Sequence, residues 1–210
     1  MNVLSHRGYW KTAAEKNSLE AFARSFDLGF GTETDVRDCR GELLISHDMP
    51  SGGEVTLRQF ASLTAGRVLP LAMNIKADGL AESLKAEMEA AQVPDWFVFD
   101  MAVPDMRAHI RCGNPVFTRL SEVEREPVWL NHAQGVWLDG FDGVWFEAEM
   151  IHSLLRQGKR VCVVSQELHG RDPSSLWAML LPLAAEERLM LCTDLPEDAQ
   201  AKFGPAGGRA

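Results

Sequence analysis

Short apolar runs rich in β-branched and aromatic residues alternate along the chain with stretches whose apolar residues recur every three or four positions. The first pattern predicts buried strands and the second amphipathic helices; their regular alternation is the mark of parallel βα units. Strands are predicted at 3–5, 32–37, 71–76, 96–100, 115–118, 135–139, 160–165 and 189–193, eight in all. Helical spacing or good helix formers occupy 18–28, 80–91, 104–111, 147–157, 173–186 and 197–203. In NSLEAFARSFDLGFG, Leu19, Phe22, Ala23 and Phe26 share one face and Gly29 supplies a stop. GELLISHD predicts an extra strand that forms a hairpin with the second one, Arg40-Gly41 making the turn. Eight such units in 210 residues predict a small single-domain α/β protein, a (β/α)8 TIM barrel over 1–204, with a flexible C-terminal tail over 205–210.

Composition narrows the function classes. Hydrophobic residues at 46% and charged residues at 24% are those of an ordinary globular chain. A formal net charge of -9 argues against a sequence-independent nucleic-acid binder, while leaving room for local capture of a small anion. Cys39, Cys112, Cys162 and Cys192 are widely spaced with no C-x-x-C pair, so reduced thiols are expected. The opening MNVLSHRG has no basic leader with an apolar region behind it, and no run approaches the ~20 apolar residues of a membrane span. The expectation is a cytoplasmic protein without stable membrane insertion.

In a βα barrel the loops after the strands carry the chemistry. At those positions stand His6-Arg7, Glu33-x-Asp35, His47-Asp48, Asn74-x-Lys76, Asp100, Arg119, Asp139, Ser165 with Glu167 and His169, and Thr193-Asp194. Glu33 and Asp35 lie two apart on a strand, so both carboxylates point the same way and repel unless a cation lies between them. Alone, such a pair is commonly two solvated acids on an exposed face. His6 and His47 could each cap a strand or satisfy a backbone group, yet two imidazoles around a carboxylate pair also suit proton transfer at both oxygens of a phosphodiester. Arg7 can hold phosphate oxygens in its planar fork or pair with Glu33 or Asp35.

HRG, NSLEAF, E-x-D-V and GELLISHD, in this order within the first 48 residues, resemble the opening signature of the glycerophosphodiester phosphodiesterases. These are barrel enzymes related to bacterial phosphatidylinositol phospholipase C and sphingomyelinase D. LAMNIK falls where the family has a strand ending in Glu-x-Lys, and LCTDLP resembles the Thr-Asp of its last strand. The resemblance implies a hydrolase of lipid-derived phosphodiesters, with His6 and His47 as acid and base and Arg7 and Lys76 at the phosphate. Glu33 and Asp35 become metal ligands. It also implies a two-step course: a neighbouring substrate hydroxyl attacks phosphorus, and water opens the resulting cyclic phosphate.

The chain departs from the family at two charged positions. Where the family has Pro-Glu-Asn it has Glu15-Lys16-Asn17, and where the family has its third-strand Glu it has Asn74. Fewer charged oxygens predict a weakly held Mg²⁺ or Ca²⁺ at Glu33, Asp35 and Asn74. Alternatively Lys16 takes over the cation's role in a metal-independent site, pairing with a carboxylate or facing substrate. The segment between His47 and Asn74 is short, predicting an open mouth for a headgroup or a sugar-linked phosphate. Glu167 and His169, with Arg171, are read as pocket-lining residues or as a polar loop over the rim, and Trp137, Trp145 and Trp177 as packing. The competing functions are a phosphate-ester binding module that has lost turnover, and a phospholipase C- or sphingomyelinase D-like specificity on the same barrel.

Overall fold

The computed structural model describes residues 1–204; the tail expected at 205–210 lies outside the described residues. Nine strands and seven α-helices follow one another along the described chain. They are β1 (Asn2–His6), α1 (Leu19–Asp27), β2 (Gly31–Cys39), β3 (Glu42–Ile45), α2 (Leu57–Ser62), β4 (Leu71–Ile75), α3 (Ala81–Ala90), β5 (Trp96–Phe99), α4 (Val103–Cys112), β6 (Phe117–Leu120), β7 (Gly135–Leu138), α5 (Ala148–Arg156), β8 (Arg160–Val164), α6 (Ser174–Leu180), β9 (Leu189–Thr193) and α7 (Pro196–Phe203). Eight parallel strands alternating with helices make this a (β/α)8 fold, with β3 added as an antiparallel partner of β2. Every predicted strand and helix is present, the hairpin included.

Two boundaries moved for the same reason, a proline without an N–H. The strand expected at 115–118 runs Phe117–Leu120, since Pro115 has no N–H to donate and only its carbonyl is used, accepting from Val98 N–H at 2.8 Å. The helix expected over 173–186 ends as α6 at Leu180 and tightens into a 3₁₀ turn, Leu181–Leu183, that contains Pro182. The β6–β7 connection, 121–134, carries no helix.

The chain packs as two compact units, one of His6–Val116 and one of Met1–Ser5 with the chain from Phe117 onward. In the first, β2 and β4 pair in parallel with Asp35 opposite Asn74, and β4 pairs with β5 with Asn74 opposite Phe99. Val36, Leu71, Met73, Ile75 and Val98 face the helices, where Phe22, Phe26, Leu57, Phe60, Leu84 and Met88 complete a buried apolar cluster. The Phe22 and Phe60 rings meet edge to face at 4.6 Å. By the period of two, Glu33, Asp35 and Asn74 are on the opposite face of the same strands, and all three are buried there.

In the second unit β1 pairs with β9 from Asn2 opposite Met190 to Ser5 opposite Thr193, and β9, β8, β7 and β6 follow in parallel register. Gly135 leaves room at the β6–β7–β8 crossing: a Cβ there would stand 2.5 Å from the Phe117 ring and 2.7 Å from the Arg160 carbonyl. Cys162 and Cys192 are buried and Cys39 and Cys112 half-buried, all four as free thiols.

Candidate functional site

The turn after β1 is built around Gly8. Its N–H donates to Thr32 Oγ1 at 3.0 Å, its φ is +80°, and a Cβ would stand 2.8 Å from Ala21 Cβ and 2.9 Å from the Ala21 carbonyl carbon. Only glycine permits α1 to come this close. Tyr9 N–H donates to the Ala21 carbonyl at 2.9 Å, and Ser18 caps α1 by accepting from Ala21 N–H at 3.2 Å. The HRG and NSLEAF motifs are thus two sides of one contact.

Arg7 sits in the left-handed region at φ 59°, with its N–H on the Glu33 carbonyl at 2.9 Å and its own carbonyl taking Asn17 N–H at 3.0 Å. Asn17, at φ 61°, fixes its side chain at both ends, accepting from Thr34 Oγ1 at 2.9 Å and donating to Asp35 Oδ2 at 3.0 Å. Asp100, just beyond β5, has φ 62°. Among the described residues, three of the six non-glycine residues with positive φ, Arg7, Asn17 and Asp100, gather at one cluster.

The centre of the cluster is the buried carboxylate pair. Asp35 has Arg7 Nε 3.0 Å from Oδ2 and Lys76 Nζ 3.5 Å from Oδ1. Glu33 has His6 Nε2 3.9 Å from Oε2 and Asn74 Nδ2 3.4 Å from Oε1. Burial, and next the charge of Asp35, push the Glu33 carboxyl up to about 7; His6, Arg7 and Lys76 pull the other way. Glu33 Oε2, Asp35 Oδ1 and Asn74 Oδ1 are all buried without a hydrogen-bond partner. Each of the three expected ligands thus keeps a buried oxygen without a hydrogen bond, with Lys76 near that of Asp35 and His6 near that of Glu33, a donor set that fits a hard cation.

Asn74 presents its amide nitrogen to Glu33, a carboxylate drawing the donor end, and leaves Oδ1 as its buried oxygen without a hydrogen-bond partner. Among the described residues no three His, Cys, Asp or Glu side chains form a metal-type cluster. Lys16, expected either to pair with a carboxylate or to face substrate, has its Nζ 4.4 Å from the centre of the Trp10 ring, a cation–π contact. His47 follows β3 with a half-exposed ring, its Nδ1 2.9 Å from Asp48 Oδ1 and its carbonyl held by Arg37 Nε at 3.0 Å.

Glu167 and His169 lie in the second unit. The Glu167 carboxylate accepts from the Ser165 and Thr193 hydroxyls and from Asp194 N–H at 3.1 Å, tying the ends of β8 and β9 together. His169 Nε2 is 2.8 Å from Asp139 Oδ1, which also takes Gly140 N–H. Trp137 and Trp177 are buried, Trp177 donating to Ser165 Oγ at 2.8 Å. Sequence reasoning gave no role to Asn17. The signal was present: an asparagine directly before a helix-capping serine is a residue type that tolerates positive φ.

No protein-family model matches the sequence, and no curated protein matches it. Solved structures do. A glycerophosphodiester phosphodiesterase from Agrobacterium tumefaciens superposes with a TM-score of 0.70 at 15% identity, covering 98% of this chain and 100% of its own. A phosphodiesterase from Oleispira antarctica, solved with the product sn-glycerol-3-phosphate, gives 0.67 at 16% identity over 98% and 97%. A Ca²⁺-dependent phosphatidylinositol-specific phospholipase C from Streptomyces antibioticus gives 0.54 at 12% identity over 95% of each chain. The likeness establishes the barrel fold; residues argue for the chemistry.

Proposed function

We propose that this chain is a metal-assisted phosphodiesterase acting on glycerophosphodiester-like or other headgroup-linked phosphodiesters. One observation carries the reading: the buried Glu33–Asp35 pair meets His6, Arg7 and Lys76, the residues that the phosphodiesterase resemblance implies. The similarity in fold to phosphodiesterases, one of them holding a glycerol phosphate product, supports the substrate class.

Glu33, Asp35 and Asn74 would hold the cation, Mg²⁺ or Ca²⁺, which when bound supplies positive charge to the phosphoryl oxygens. Arg7 and Lys76, a guanidinium and an ammonium beside Asp35, would offer further positive charge to the phosphate as negative charge grows in the transition state. His6 and His47 share the proton work. One imidazole takes the proton from the attacking substrate hydroxyl as the oxygen–phosphorus bond forms; the other protonates the departing alkoxide as its bond to phosphorus breaks. They exchange roles when water opens the cyclic phosphate.

Hydrolysis of bis(p-nitrophenyl) phosphate and of glycerophosphocholine, with Mg²⁺, Ca²⁺ or chelator, tests the proposal. Turnover that needs a divalent cation and falls at least a hundredfold in His6→Ala is expected, on the order of a general acid–base contribution. Binding of glycerol phosphate without turnover in any metal would instead make the chain a binding module.

A further inference from the structure

Asn74 stands between two carboxylates from neighbouring strands. Its Nδ2 lies 3.4 Å from Glu33 Oε1 on β2 and 3.4 Å from Asp100 Oδ2 just past β5, while its Oδ1 is buried with no hydrogen-bond partner. The side chain is more than nine-tenths buried, and its strand places it opposite Asp35 on one side and Phe99 on the other. Asp100 reaches the amide from a left-handed backbone at φ 62°, which its residue type tolerates at some strain. A carboxylate that accepts from an amide nitrogen fixes which end of the amide is which. It also shifts electron density toward the amide oxygen, making that oxygen a better donor to a cation.

Resting on the metal-assisted reading, we infer that Asp100 is a positioning residue for the cation site: it holds and polarises Asn74, so that a charge absent from β4 is delivered from β5 through the amide. A neutral amide would otherwise be a poor substitute for a carboxylate ligand in a site that has only Glu33 and Asp35 as charged oxygens. Asp100 need not touch the cation to do this. The two 3.4 Å contacts of Asn74 span the gap between the acid on β2 and the acid past β5.

The test is calorimetric titration of Mg²⁺ and of Ca²⁺ into the full chain and into Asp100→Asn, Asp100→Glu, Asn74→Asp and the double variant Asn74→Asp/Asp100→Asn, each checked for cooperative melting. Affinity is expected to fall about tenfold in Asp100→Asn, the lower end of what loss of such a partner does, and to recover in Asp100→Glu. In the Asn74→Asp background, where no amide remains to be polarised, Asp100→Asn is expected to change affinity less than twofold. Equal losses in both backgrounds would overturn the inference by showing a general structural or charge effect. Unchanged binding in Asp100→Asn, with binding lost in Glu33→Gln, would overturn it while leaving the metal site standing. Absence of Mg²⁺ and Ca²⁺ binding by the unaltered chain would overturn both.

Discussion

Glu33 carries an electrostatic load that a titration exposes. Its carboxyl, moved by burial from 4.5 to about 7, binds a proton more tightly folded than unfolded. Stability is therefore greatest below about pH 4.5 with respect to this group and declines as the pH rises through the window up to about 7, by about 3 kcal/mol in all. In chelator, Glu33→Gln is expected to melt above the unaltered protein at about pH 8, with the difference shrinking as the pH falls toward about 5; thermal melts across that range measure it. A constant difference would mean that Glu33 is already neutralised by His6, Arg7 and Lys76. At this scale the sequence was readable where spacing dictates direction: E-x-D put both acids on one face, and N-x-K put Asn74 and Lys76 beside them. For Lys16 the sequence left open a carboxylate partner or a place facing substrate, and nothing in it weighs the Trp10 ring, six residues earlier, that the ammonium meets. The amide orientation of Asn74 was equally invisible, since the carboxylates that meet its nitrogen, Glu33 and Asp100, stand 41 and 26 residues away.

Secondary-structure elements locate these side chains through a few tight contacts. The turn after β1 and the first turn of α1 touch at Gly8 and Ala21, and that contact sets the loop from which Arg7 and Asn17 reach Asp35. Gly8→Ala must adopt a left-handed φ and push α1 away, so a loss of about 2–4 kcal/mol is expected from the sum of strain and overpacking. Chemical denaturation would show it as a lower midpoint at unchanged slope. Activity is expected to fall with stability in this variant, because the displaced helix carries the cap that follows Asn17. Strands and helices were legible in the sequence since their periods differ, 2 against 3.6. The errors fell at Pro115 and Pro182, where one missing N–H decides a boundary that periodicity alone leaves open.

For the whole molecule, a cation that binds only the folded chain adds stability by mass action. At a concentration one hundred times its dissociation constant the gain is about 2.7 kcal/mol, enough to raise the melting temperature of a chain of this length by about 5–10 °C. Differential scanning fluorimetry with Mg²⁺ or Ca²⁺ against chelator is expected to show that rise, and Glu33→Gln to abolish most of it. Fold class was legible at this scale from the rhythm of eight βα units, and the division into two compact units was not, since it depends on contacts rather than on local pattern. That division bears on how the protein is made. The ion pairs and hydrogen bonds described around Glu33 and Asp35 join residues no more than 41 positions apart, all within 6–116, whereas Asn2 on β1 pairs with Met190, 190 − 2 = 188 positions away. As the chain leaves the ribosome, Arg7 and Lys76 are already available to screen the two buried acids before the last strand has been synthesised. The nascent chain thus carries the counter-charges for its own acidic centre, while the pairing of β1 with β9 waits for the end of synthesis.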